Sequence, residues 1–159
     1  MLAWMTGTVA GKLITTFFIS MVPVVELRLG LPYGIALGLD YPLALAAAVV
    51  GNMLPVPFII VYIQYVFRWL REHFSRMDRF ITRLETRAHL KGRTVQRVGP
   101  LGLLLFVAIP LPGTGAWTGS LIAALLGMKP RVATPCILLG VLIAAAIMTL
   151  ITFGVIHAI

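Results

Sequence analysis

Residues 110–117 read PLPGTGAW, two prolines and two glycines in eight positions, midway along an otherwise apolar block covering about residues 101–128. A lipid-facing helix cannot carry that run. Each proline withholds an N–H, and several backbone groups would lose partners at several kcal/mol apiece. The solution that keeps both flanks helical is a re-entrant hairpin: one arm in, a broken turn at membrane depth, and one arm back out on the same side. Arms of about 12 residues, rising 1.5 Å each, reach roughly 18 Å, past the midplane. Residues 17–39, FFISMVPVVELRLGLPYGIALGL, read the same way. There Pro23, Gly30 and Pro32 interrupt the helix, and Glu26 and Arg28 are the only charged side chains. Pro23, Gly30, Pro32, Pro110 and Pro112 therefore mark two expected hairpin tips.

Composition sets the solvent. Of 159 residues, 60% are apolar and 11% charged, with a mean hydropathy of +1.00. A soluble domain is nearer half apolar and a quarter charged, so an integral membrane protein is expected. Four apolar blocks, about residues 13–39, 43–69, 101–128 and 135–159, each exceed the roughly 20 helical residues that cross a hydrocarbon core. Short alternating segments of the barrel type are absent, so the expectation is one all-α domain over residues 1–159. Residues 12–25 imitate a signal sequence. No small-x-small site follows, however, and Glu-Leu-Arg stands where one is expected, so the segment is read as retained. Cys136 is the only cysteine, and no histidine has a partner at metal-ligand spacing. No metal and no cofactor are predicted.

Charge gives orientation. Nine of the 13 Lys and Arg fall between Arg68 and Arg97, against Glu72, Asp78 and Glu85. The positive-inside rule places this connector, residues 70–98, in the cytoplasm. Trp69, Phe80, Ile81, Leu84 and Ala88 recur at helical spacing with arginines opposite, which fits a basic amphipathic helix on the inner leaflet; for function the expectation is an ordinary solvated connector that fixes orientation. No aromatic-interleaved basic platform is present, so nucleic acid is not an expected partner; membrane lipids are.

The two halves echo each other. PVVELRLGLPYGIALGLDYP starts at Pro23 and PLPGTGAWTGSLIAALLGMKP at Pro110, and each leads into a long apolar helix containing Gly51 or Gly140. Pro23 and Pro110 are 87 apart, Pro42 and Pro130 are 88, and Gly51 and Gly140 are 89. Repeat 1 is about residues 11–69 and repeat 2 about 99–159. If each is one hairpin plus one span, the second enters from the opposite face and the pair is an inverted repeat. Lys129 and Arg131 then lie inside with the connector, so that 11 of 13 cations are cytoplasmic. A plain four-span bundle would put those two outside.

Glu26 is the only carboxylate expected at depth, suited to proton coupling or to acting as a counter-ion. Arg28 presents a planar fork that suits a carboxylate or phosphate. GTGAWTG, with Gly113, Thr114, Gly115, Trp117 and Thr118, offers N–H groups and hydroxyls at the start of a returning half-helix, which reads equally as an anion site or as a tight, unstrained turn. A purely structural alternative is that Glu26 and Arg28 neutralise one another and hold the tip. Asn52, with Pro55 and Pro57, predicts a kink lining the cavity. Gly30, Gly34 and Gly38 form a small-xxx-small row for close packing. No nucleophile–base set is visible, so an enzyme is not expected.

ELRLGLPYGIALG and PLPGTGAWTGSLIAALLGM resemble the two hallmark segments of the small multidrug export family, over nearly the whole chain. The arrangement is more distantly similar to DedA-type membrane proteins. That likeness implies paired re-entrant hairpins and, by analogy, movement of an undecaprenyl-phosphate-like lipid carrier. Glu26 resembles their first-hairpin acid, whereas their second-hairpin arginines have no match in the uncharged tip here. The chain differs from the small multidrug resistance transporters, which lack the connector and the PLPGTG tip. The expected function is a secondary transporter or lipid flippase in the cytoplasmic membrane. It would work by alternating access on an amphipathic, anionic substrate, coupled to a proton or sodium ion, as a homodimer or larger assembly. The alternatives are a proton-coupled exporter of cationic drugs and a non-transporting membrane scaffold.

Overall fold

The computed structural model describes residues 7–73, 99–111 and 113–158, together with residues 79, 82, 83 and 86. Pro112 and most of the connector, including Phe80, Ile81, Leu84 and Ala88, lie outside the described residues. Among the described residues every regular element is a helix: α1 Val9–Met21, α2 Glu26–Ala36, α3 Tyr41–Met53, α4 Pro55–His73, α5 Pro100–Ala108, α6 Ala116–Leu125 and α7 Pro130–Ala158.

α1 starts where Thr8 accepts a hydrogen bond from the Gly11 N–H at 3.1 Å. Its buried hydroxyls on Thr15, Thr16 and Ser20 each donate to the carbonyl four residues earlier at 2.8 Å. Three polar side chains are thus satisfied within their own helix. The same hydroxyl-bearing residues form the seam for α2. A Cβ on Gly30 would strike Ser20, and one on Gly34 would strike Thr16. Residues 20 and 16 step back as 30 and 34 step forward, so α1 and α2 run antiparallel with a tip at residues 22–25. Gly30 and Pro32, expected in that tip, lie inside α2. Pro32 withholds an N–H from the Arg28 carbonyl but leaves the helix continuous.

α2 ends on Gly38 at φ 77°. The Leu39 N–H bonds the Gly34 carbonyl at 3.1 Å and the Gly38 N–H bonds that of Ile35 at 2.8 Å, a Schellman closure. Leu43 and Ala44 then donate to the Asp40 carbonyl, both at 3.0 Å, and launch α3 from the corner. Every one of these features recurs 89 residues later. Gly127 has φ 67°. Met128 bonds Ala123 at 2.9 Å, Gly127 bonds Ala124 at 3.1 Å, and Val132 and Ala133 bond Lys129 at 2.9 and 3.0 Å. Gly51 crosses the Phe17 carbonyl and Gly140 that of Leu104, so the first arms are offset by 87. The two extra residues fall in the second tip, at 111 and 112.

α3 and α4 are separated only at Leu54, where Pro55 and Pro57 deprive the Gly51 and Met53 carbonyls of donors. This is the interruption expected from Asn52 and the two prolines. Tyr41–Ile63, of 23 residues, and Pro130–Gly154, of 25, are long and apolar enough to cross a membrane. They run in opposite directions. At one end the Tyr41 hydroxyl meets Thr149 Oγ1 at 2.9 Å and its ring packs on Phe153. At the other, Ile60, Val61, Tyr65 and Arg68 share a groove with residues 127–130, including Lys129. α1 packs on α3, α5 on α7, α4 on α6, and α2 on α7. Leu27, Leu31, Ala44, Leu103, Ile122 and Ile137 fill the core, while Phe18, Phe58, Leu139, Leu142 and Leu150 face outward. An outer surface this apolar is solvated by lipid rather than water.

Val24 has φ 75°, and 89 residues on Gly113 has φ 80°. The left-handed region costs an L-residue roughly 1–2 kcal/mol, most for a β-branched side chain, and Gly nothing. Val24 is 84% exposed, so its side chain recovers little by packing. Val24→Gly should therefore raise unfolding stability, by about 1 kcal/mol, and Gly113→Val should lower it by at least as much. Thermal unfolding of the purified protein checks both.

Candidate functional site

The two tips meet. Glu26 opens α2 in a left-handed conformation, φ 50°, and its buried carboxylate, 4% exposed, reaches across to the N-terminus of α6. Its Oε1 accepts the Trp117 N–H at 3.1 Å, with the Ala116 N–H beside it. Gly115, the N-cap of α6, has no side-chain cap of its own. The carboxylate occupies the space its Cβ would fill. An acid from the first tip thus caps a half-helix of the second, where free N–H groups and the positive end of the helix favour an anion.

Arg28 completes the junction. Its Nη1 lies 3.2 Å from Glu26 Oε2, and its Nη2 donates to Thr114 Oγ1 at 2.9 Å and to the Ile109 carbonyl at 3.4 Å. In a continuous helix residues two apart diverge; at the broken start of α2 they pair. The Thr114 hydroxyl lies 2.6 Å from the Ile109 carbonyl and 2.8 Å from that of Leu111, and accepts the Leu111 N–H at 3.2 Å. It therefore closes the second tip on itself. The Trp117 indole N–H donates to the Met21 carbonyl at 3.1 Å. Each tip therefore supplies partners for the end of the other tip's incoming arm.

Of the residues singled out from sequence, Glu26, Arg28, Thr114, Gly115 and Trp117 come together here. Gly113 shapes the turn, and Thr118 lies further along α6 and makes none of the bonds that join the tips. Of the GTGAW N–H groups, expected to face a ligand, those of Ala116 and Trp117 face Glu26 instead, and that of Thr114 donates to the Leu111 carbonyl at 3.2 Å. Asn52, buried at 2% exposure, sits against the same site and shares a cavity with Glu26 and Arg28. It is the central residue of Tyr41–Ile63. Val141, near the centre of Pro130–Gly154, lines that cavity as well. Asn52, expected from sequence in a kink lining the cavity, is among its lining residues; its signal was a lone amide at the middle of an apolar span.

Residues 26–147, about three-quarters of the chain, match the family model described as "Putative small multi-drug export protein". The chain belongs to that family. No curated protein and no solved structure matches it. The small multi-drug export match begins at Glu26 itself and contains every residue that joins the tips except Met21. The family is described by export and not by catalysis. With two long apolar helices beside it, that makes this a membrane protein.

Gly115→Ala should push the Glu26 carboxylate off the end of α6 and leave it buried with one partner fewer, at a cost of about 2–4 kcal/mol. With Glu26→Ala already in place the same change should be nearly neutral. The resulting coupling of about 2–4 kcal/mol is measurable in a double-mutant unfolding cycle.

Proposed function

We propose that this protein is a secondary transporter, or a flippase, for an amphipathic anionic substrate, working by alternating access between two hairpin units. One observation carries the reading: a carboxylate and an arginine meet the positive end of a broken half-helix, level with the centres of both long apolar segments. That is how anion sites are made at the midplane of transporters built from inverted repeats. The inverted repeat is supported by the 89-residue recurrence of turns and by the opposite directions of Tyr41–Ile63 and Pro130–Gly154. With α1–α2 and α5–α6 as re-entrant hairpins, both tips reach mid-depth from opposite faces. Arg68 and Lys129 share a groove, so the corner before α7 lies on the side of the basic connector, which the positive-inside rule makes cytoplasmic.

In this arrangement Glu26 stands where a substrate anion would bind. Its carboxylate holds Arg28 and the Trp117 N–H, the donors a phosphate or carboxylate head group needs. Protonating Glu26 removes the charge that competes for them, so a substrate anion and a proton load together. A lipid phosphate, as the DedA likeness implies, fits this chemistry, with the apolar outer faces accommodating its tails or a second copy of the chain. The family description favours drug export. For a cationic drug Glu26 would be the ligand and Arg28 an obstacle.

Flux in proteoliposomes separates these readings. For an anionic amphiphile, Glu26→Gln and Arg28→Ala should each reduce transport to the protein-free background in protein that still elutes as a single species. Wild-type flux in both variants refutes the proposal. Drug efflux that survives Arg28→Ala but not Glu26→Gln supports the cationic alternative. In whole cells, cysteines at 68 and 129 should both resist an impermeant maleimide added outside; labelling of position 129 alone would refute the hairpin topology.

A further inference from the structure

Among the described residues, two buried polar atoms at the centre of the molecule have no hydrogen-bond partner: Arg28 Nε and Asn52 Oδ1. They belong to residues lining one small cavity, which Glu26, Gly115, Ala116 and apolar Val141 also line. A buried donor or acceptor left unmade costs more than most hydrogen bonds contribute, so each such atom calls for a complement. The two orphans are opposite in kind: Nε–H donates and Oδ1 accepts. Whatever joins them must accept from one and donate to the other.

That requirement selects the ligand. A sodium ion could take Asn52 Oδ1 but would face the Nε–H and charge of Arg28. Chloride could take the Nε–H but would face the Asn52 oxygen. A neutral hydroxyl does both. The space is about 10 Å³ on a scale where one water needs roughly 10–15 Å³. That is the size of a single water.

We propose that this cavity is a binding site for a single water linking Asn52 to Arg28, that it excludes sodium, and that Asn52 is a positioning residue holding Arg28 toward Glu26. The ion coupled at this site is then a proton, bound as a new O–H bond on Glu26 and drawn from bulk water when the site opens. The last step rests on the transport reading; the water site does not. Glu26 and Arg28 of α2 are the only ionisable side chains lining the cavity, and α3, α5, α6 and α7 contribute Asn52, backbone and apolar groups.

The test uses the full-length protein in detergent and requires no flux, so its failure is distinguishable from failure of the transport reading. Thermal unfolding in sodium chloride and in choline chloride at equal ionic strength should coincide; a sodium-specific rise that grows with concentration overturns the proposal. Asn52→Leu, close in shape but without the acceptor, should lower the unfolding temperature by about 3 °C. No change or a rise overturns the proposal, because deleting a truly orphaned acceptor stabilises. Asn52→Ser keeps an acceptor and room for water and should recover most of the loss; a loss as large as that of the leucine variant overturns it. Dicyclohexylcarbodiimide, which attacks protonated carboxyls in apolar surroundings, should label Glu26 increasingly as pH falls, equally in sodium and choline. Protection by sodium, or no labelling at any pH, overturns it.

Discussion

Breaking two helices inside an apolar molecule frees backbone groups that nothing nearby can solvate, and each tip here borrows the remedy from the other. Arg28 reaches the carbonyl that ends α5; Trp117 reaches the carbonyl that ends α1; Glu26 takes an N–H that opens α6. Each such bond contributes on the order of 1 kcal/mol when made, and a partner left bare where water does not reach costs about 1–3. Neither tip is therefore a finished structure by itself. The two halves must fold against each other, and any motion that parts the tips must replace these bonds with others.

The halves share their corner turns and crossing glycines but differ where the chemistry sits. On the 89-residue offset Glu26 corresponds to Gly115, Arg28 to Trp117 and Asn52 to Val141. The Glu26 side chain fills the space that Gly115 leaves open, so two carboxylates could not occupy the equivalent positions at once. One half supplies charge and amide; the other supplies backbone N–H groups, an indole and an apolar wall. The same offset accounts for Val24. It adopts the left-handed turn that its counterpart Gly113 makes without strain, and it is held there because the bonds of Glu26, two residues on, fix the turn.

Part of this is legible in the sequence. Glu26 and Arg28 stand out because they are the only charges in a 23-residue apolar stretch, and the second tip because four of its eight residues are Pro or Gly. The drift in repeat spacing from 87 to 89 already contains the two-residue insertion, though only the turn geometry assigns it to residues 111 and 112. Gly30 and Pro32 misled, since proline normally ends a helix; here only the Arg28 carbonyl loses a donor and α2 continues. The destination of the GTGAW N–H groups was not legible at all. Glu26 and Trp117 are 91 residues apart, and a pair so distant leaves no periodic trace. Orphaned atoms such as Arg28 Nε and Asn52 Oδ1 appear only once every neighbour is placed.

An internal carboxylate seated on the donors that a ligand would need is both a structural strut and a competitor. On the proposed reading, a substrate anion meets a site already satisfied, and gains affinity only to the extent that Glu26 can be displaced. Protonation removes the competing charge without removing Arg28 or the N–H groups of α6. Binding of the anion and binding of the proton then favour each other, and linkage makes that coupling reciprocal. The loaded site would carry the same formal charge as the unloaded one, because one carboxylate has been exchanged for one anion. Crossing an apolar layer is least costly for a load whose charge does not change, since each uncompensated charge at depth costs several kcal/mol. The Glu26–Arg28 pair can thus be structural and functional for the same reason: the bonds that close the tips are the bonds a substrate must equal to open them.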